Sequence, residues 1–219
     1  MVYVVGTLCL AFFFFTLLMV ASQLLYKSRM NTKYSIRNMF PFELNYKVYF
    51  KDNLYTHIFL GLFTMSAIGF FATFDLTYSD GYLIYTMISG IVCALCILLI
   101  FYVPLTNLRF HIILDSVLFT LIFSNIASTL IAAWRLNQFN STWASWTSII
   151  VSIVIGAATF ALIMNPRLNL NFKPIEVVKE NGEKEYVRPK GIVLAFSEWI
   201  LIIIYLIEMI NIFILTFGL

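Results

Sequence analysis

Apolar residues gather along this chain in six long runs, at about 2–26, 56–74, 81–103, 112–134, 146–164 and 192–217. A helix that crosses the hydrocarbon of a bilayer needs about 20 mostly apolar residues, and each run approaches or exceeds that length. The pattern predicts an all-α membrane fold, a six-transmembrane-helix bundle forming a single polytopic domain over residues 1–219. Three stretches on one side, 27–55, 104–111 and 165–191, of which the first and third are long, alternate with two short ones on the other. Within the last long stretch, Asn181-Gly182 stands between β-branched runs, which predicts a β-hairpin because both residues tolerate positive φ. In the first, Phe40, Phe42, Leu44, Tyr46, Val48 and Phe50 alternate with mostly polar neighbours. Period two argues for a strand that pairs with that hairpin, with an interfacial helix starting at Pro41 as the rival. The expected fold therefore carries a small cytoplasmic β-hairpin element.

Basic residues orient the bundle. Of 14 Lys and Arg residues, 13 fall in the first three stretches, and Arg135 alone lies on the opposite side. Lys and Arg concentrate on the cytoplasmic side of membrane proteins, so these loops are expected in the cytoplasm and both termini outside. The first run has no basic residue before it and positive charge after it, which predicts a retained anchor rather than a cleaved signal. Trp134, Trp143, Trp146, Tyr78 and Tyr82 would anchor the outer boundary, and Tyr26, Tyr55 and Tyr102 the inner one.

Composition closes off other classes. Hydrophobic residues make up 61% of the 219 positions and charged residues 11%, against about 45–50% and 25% in soluble domains. A soluble globule and a disordered chain are excluded. A net charge of +3 is too small to point to nucleic acid. Cys9, Cys93 and Cys96 lie in apolar runs and form no disulfide framework. Phe, Tyr, Met, Ile, Asn and Lys total 91 residues while Gly, Ala, Arg and Pro total 33, a bias expected of a low-GC bacterium and hence of its plasma membrane.

Candidate chemistry lies in ionisable residues within the apolar runs, which are costly to bury. Glu208 sits deep in the last run, about 24 Å along a helix from Ile192, and Glu198 nearer the basic end, about 80° around from it. Asn211, at i+3 from Glu208, can share its hydrogen bonds. These residues read either as a proton or cation site or as a carboxyl group bonded to Ser, Thr or Asn on a neighbouring helix. Asp115 reads as an acid at a helix N-terminus, in reach of His111 at i−4. Ser116, Thr120, Ser124, Ser128 and Ala132 recur every four residues, as do Ser148, Ser152 and Gly156. Small residues let helices approach closely, so these stripes read as a packing seam. A polar conduit supported by Asn125 is the sharper alternative. Cys93 and Cys96 read as apolar filling. His57 and His111 are expected in the headgroup region rather than as metal ligands. No phosphate loop, His-Glu-x-x-His or Gly-x-Ser-x-Gly is present, and no cofactor is expected.

Asn31, Tyr34, Ile36 and Arg37 follow the first run and His57 opens the next. That spacing resembles the Asn-x-x-Tyr-Gly-Ile-Arg-Thr loop of bacterial toxin-immunity membrane proteins, with Ser35 in place of Gly, Asn38 in place of Thr and no Trp in the loop. The resemblance covers residues 31–57 and implies an immunity role. The expected function is a non-enzymatic subunit, accessory or immunity factor of a membrane complex. It would contact the lipid bilayer and dock protein partners through loops 27–55 and 165–191, with Asn181, Gly182, Tyr186, Phe42 and Tyr46 as docking residues. The alternative is a small proton- or cation-coupled transporter using Glu208 and Glu198. An intramembrane enzyme is a third and weaker reading.

Overall fold

Six helices form the body of the protein: α1 (Val2–Met30), α2 (Leu54–Asp75), α3 (Gly81–Ile100), α4 (Leu108–Phe139), α5 (Trp143–Ile163) and α6 (Val193–Leu215). The computed structural model describes residues 2–30, 33–44, 54–75, 81–103, 108–165, 175–178, 184–187 and 191–217. All six helices are long and apolar enough to cross a membrane. The chain is a polytopic membrane protein. Helices suit these apolar runs because each satisfies its own backbone hydrogen bonds where no water can.

Helix α6 lies at the centre. In its most apolar stretch 67% of residues are buried, against 22% in α1. It packs on α1, α4 and α5. It reaches α3 through the Tyr205 hydroxyl, which donates to the Gly90 carbonyl at 3.0 Å, and α2 through the Phe71 ring, 5.9 Å from that of Tyr205. At Gly90 the side chain of Phe71 on α2 packs against the α3 backbone. A Cβ there would stand 2.3 Å from the Phe71 ring, so only a residue without one admits this approach. At the far end α5 starts from a capping box. Thr142 Oγ1 accepts from Ser145 N at 3.2 Å, and Ser145 Oγ accepts from Thr142 N at 3.2 Å, which satisfies two donors that the first turn leaves over.

The other end, where the basic stretches meet the bundle, is tied together by segment 33–44. Trp199 of α6 is fully enclosed, and its indole Nε1 donates toward Tyr34 Oη at 3.1 Å and Met39 O at 3.0 Å. Tyr34 Oη in turn lies 2.8 Å from the Phe40 carbonyl. The N–H of Ile192, just before α6, donates to Arg37 O at 3.1 Å. Phe40, Phe42, Ile192, Leu194 and Ala195 make a second, smaller apolar cluster there.

The β element expected as part of the fold needs correcting, because six helices make the fold and the strand expected from residue 40 onward begins as a helical turn. Pro41–Leu44 is a 3-10 turn, not a strand. Proline has no N–H to give a ladder, and the Glu43 carboxylate folds back to accept from Phe40 N at 3.1 Å. Phe40, Pro41, Phe42 and Leu44 are all buried, so the alternation in the sequence does not mark the face of a strand. Tyr46, Val48 and Phe50 lie outside the described residues, as do Asn181 and Gly182. Ile175–Val178 (β1) pairs antiparallel with Lys184–Val187 (β2), Ile175 opposite Val187, and no third strand joins them among the described residues. Two four-residue strands add no layer to a helical bundle.

Candidate functional site

Three ionisable side chains from two helices meet at the basic end of the bundle. His111 and Asp115 stand one turn apart near the start of α4, and Glu198 projects from the first turns of α6. All three are buried, His111 and Glu198 completely. His111 Nε2 is 2.9 Å from Glu198 Oε1 and 3.7 Å from Asp115 Oδ2. The other ring nitrogen, Nδ1, is 2.9 Å from the Val103 carbonyl. A carbonyl can only accept, so Nδ1 carries the hydrogen and Nε2 faces the carboxylates with its lone pair in the neutral ring. Two acids and a lone pair do not hold together without a cation between them. Either a proton or a metal ion satisfies that geometry.

The surroundings keep water away. The rings of Phe40 and Phe42 stand edge-on to the imidazole, with centroids 5.8 and 5.7 Å distant. Asp115 Oδ1 and Oδ2 and Glu198 Oε2 are enclosed, and apart from the contact between the two carboxyl groups themselves they have no hydrogen-bond partner. Buried polar atoms are nearly always paired, so three spare acceptor atoms around one histidine mark a site built to hold something positive. Glu43, on the 3-10 turn, adds a further acidic charge acting on Glu198.

A second polar layer crosses the middle of the bundle. Asn211 Nδ2 donates to Glu208 Oε2 at 3.1 Å and to Ser152 Oγ of α5 at 2.9 Å. Asn125 of α4 donates to Thr86 O at 2.9 Å and Ser89 Oγ at 2.8 Å on α3. Ser128 and Thr86 hydroxyls are 2.6 Å apart, and Tyr85 Oη donates to Ser124 Oγ at 2.9 Å. Glu208 Oε1 has no partner. Between the two polar sites lie Leu118 and Ile122 of α4 and Leu201 and Ile202 of α6, all buried. Glu198 and Glu208 are thus separated by an apolar layer about 15 Å long at 1.5 Å per residue.

The structure brings the residues singled out in the sequence into different settings. Glu208 and Asn211 share a hydrogen bond, and Glu198 and Asp115 share His111. Ser124 and Asn125 belong to the α3–α4 contact. The α4 stripe faces α3 at Ser124 and Ser128, whereas Ser152 of the α5 stripe faces α6. Gly156 does meet α4, where a Cβ would stand 3.5 Å from Ile126. Phe42 is buried against His111 and offers no docking surface. Tyr186 lies in β2. Cys93 and Cys96 are free and buried. His57 does lie at the basic end, its Nδ1 2.7 Å from Tyr102 Oη and its ring stacked on that phenol. His111 departs from the headgroup placement expected of it, because segment 33–44 folds over it. Its partnership with Glu198, 87 positions away, has no local signal. The one available hint was a histidine and two acids near helix ends on the same side.

No family model matches the chain, and no curated protein or solved structure matches it.

Proposed function

We propose that this chain is a small, non-enzymatic transporter coupled to protons or cations, in the plasma membrane of a low-GC bacterium with its basic loops in the cytoplasm. The observation that carries the reading is the buried His111–Glu198–Asp115 cluster, whose grouped acceptor oxygens can hold a proton or a cation. Ionisable groups inside membrane helices usually face such pathways. Glu208 supplies a second acidic station on the same helix, and α6 contacts enough of the bundle to couple the two. Because Leu118, Ile122, Leu201 and Ile202 separate the stations, transfer between them requires a rearrangement of α4 against α6. The test is flux into liposomes carrying the full chain, read with an internal pH dye and cation indicators under an imposed gradient. Saturable flux that falls at least tenfold in Glu208→Gln and Glu198→Gln supports the reading. Flux unchanged by both substitutions refutes it.

The same apolar layer favours a second reading, an accessory or immunity subunit that moves no ion. Its partners would bind loops 27–55 and 165–191, and the acids would serve only to pair helices. Native co-purification with a stoichiometric membrane partner, together with absent flux, would select it.

A further inference from the structure

We propose that His111, Asp115 and Glu198 bind one divalent first-row transition-metal ion. The proposal names the cation that the transport reading leaves open and rests on that reading for its role in the protein. The donor set is one imidazole nitrogen and two carboxylates, a mixture suited to Zn²⁺, Mn²⁺ or Fe²⁺ rather than to the all-oxygen shells of Mg²⁺ and Ca²⁺. The donor atoms lie within 4.8 Å of one another. In a tetrahedral zinc site, bonds of about 2.0–2.2 Å put neighbouring ligands about 3.4 Å apart. The distances from His111 Nε2, 2.9 Å to Glu198 and 3.7 Å to Asp115, straddle that value. A small rotation of either carboxylate would equalise them.

Four further features fit a bound metal. The Val103 carbonyl holds Nδ1–H and aims Nε2 at the carboxylates, the outer contact that metal-binding histidines commonly make. A neutral imidazole with two ionised carboxylates carries two negative charges, which one divalent ion cancels as fully as two protons would. In a buried site that balance matters most. The oxygens Asp115 Oδ1, Oδ2 and Glu198 Oε2, which no other residue's donor engages, are available as ligands. Phe40 and Phe42 form an apolar shell against the imidazole, limiting access of water to the ion.

The experiment uses the full, untagged chain in detergent or nanodiscs after chelator treatment, titrated with Zn²⁺ by calorimetry and assayed for bound metal. The expected result is one Zn²⁺ per chain, competed by Mn²⁺ but not by excess Mg²⁺. Affinity should fall at least about tenfold in Asp115→Asn and Glu198→Gln and stay unchanged in Glu208→Gln. Absence of saturable binding, or binding unaffected by the first two substitutions, overturns the proposal. Should those variants fail to fold, Co²⁺ in the wild-type chain decides. A spectrum of nitrogen and oxygen ligands supports the site, and thiolate charge transfer moves the ion to Cys93 and Cys96 and overturns it. Binding without flux keeps the metal site and removes the transport reading. Flux without binding does the reverse.

Discussion

The two polar sites of this bundle solve the same problem differently. At the basic end, an imidazole and two carboxylates are enclosed together, and each ionic contact of Glu198 depends on a helix far away in the chain. In the middle layer, amides and hydroxyls do the pairing, and Glu208 bonds to Asn211 on its own helix at i+3 and to the Thr129 hydroxyl of α4. The amide hydrogens there are all used: Asn125 and Asn211 each donate twice. What the layers share is a surplus of acceptors, with Asn125 Oδ1, Asn211 Oδ1 and Glu208 Oε1 left over in the middle and three carboxylate oxygens left over at the end. The difference is that amide pairing tolerates one spare oxygen, whereas grouped charges need a counter-ion.

Three substitutions would break or sharpen this contrast. The largest effect is expected from Glu198→Ala, which strips the cluster of the partner of His111. Breaking a buried ionic pair by removing one side costs about 3–5 kcal/mol, so thermal or denaturant unfolding in detergent should show a large loss. A loss below about 1 kcal/mol would mean that the cluster is not held by its charges. Next comes Asn125→Ala, which removes both hydrogen bonds to α3. Bonds between membrane helices average about 0.6 kcal/mol each, so a loss of about 1 kcal/mol is expected in the same assay. A loss as large as that of Glu198→Ala would erase the distinction between the layers. Smallest is Glu208→Gln, which keeps shape and an acceptor for Asn211. Stability should move by less than about 0.6 kcal/mol, and a larger drop would show that Glu208 is held as a charge like Glu198.

How much of this could be read from the residue order follows from what is local and what is not. The six helices are legible because a spanning segment must be continuous and apolar. The Glu208–Asn211 and His111–Asp115 relations are legible because one helical turn fixes them. The meeting of His111 with Glu198 is not, since it depends on which faces of α4 and α6 come together. His111 looks like an interfacial residue two positions from Arg109, and only the fold of segment 33–44, pinned by Tyr34 and Trp199, encloses it. The same segment misleads on strand content, because a turn that buries Phe40, Pro41, Phe42 and Leu44 together leaves large apolar residues at a spacing that imitates a strand.

The central place of α6 has a consequence for how the protein is made. It leaves the ribosome after the other five helices, carrying both deep carboxylates into the bilayer. His111, Ser152 and the Gly90 carbonyl must already be in position to receive Glu198, Asn211 and Tyr205. Until then the earlier helices form an open cradle with an unfilled core. Insertion of α6 is thus the step that fills the core between these helices, and chains stalled just before it would offer quality-control proteases their best substrate.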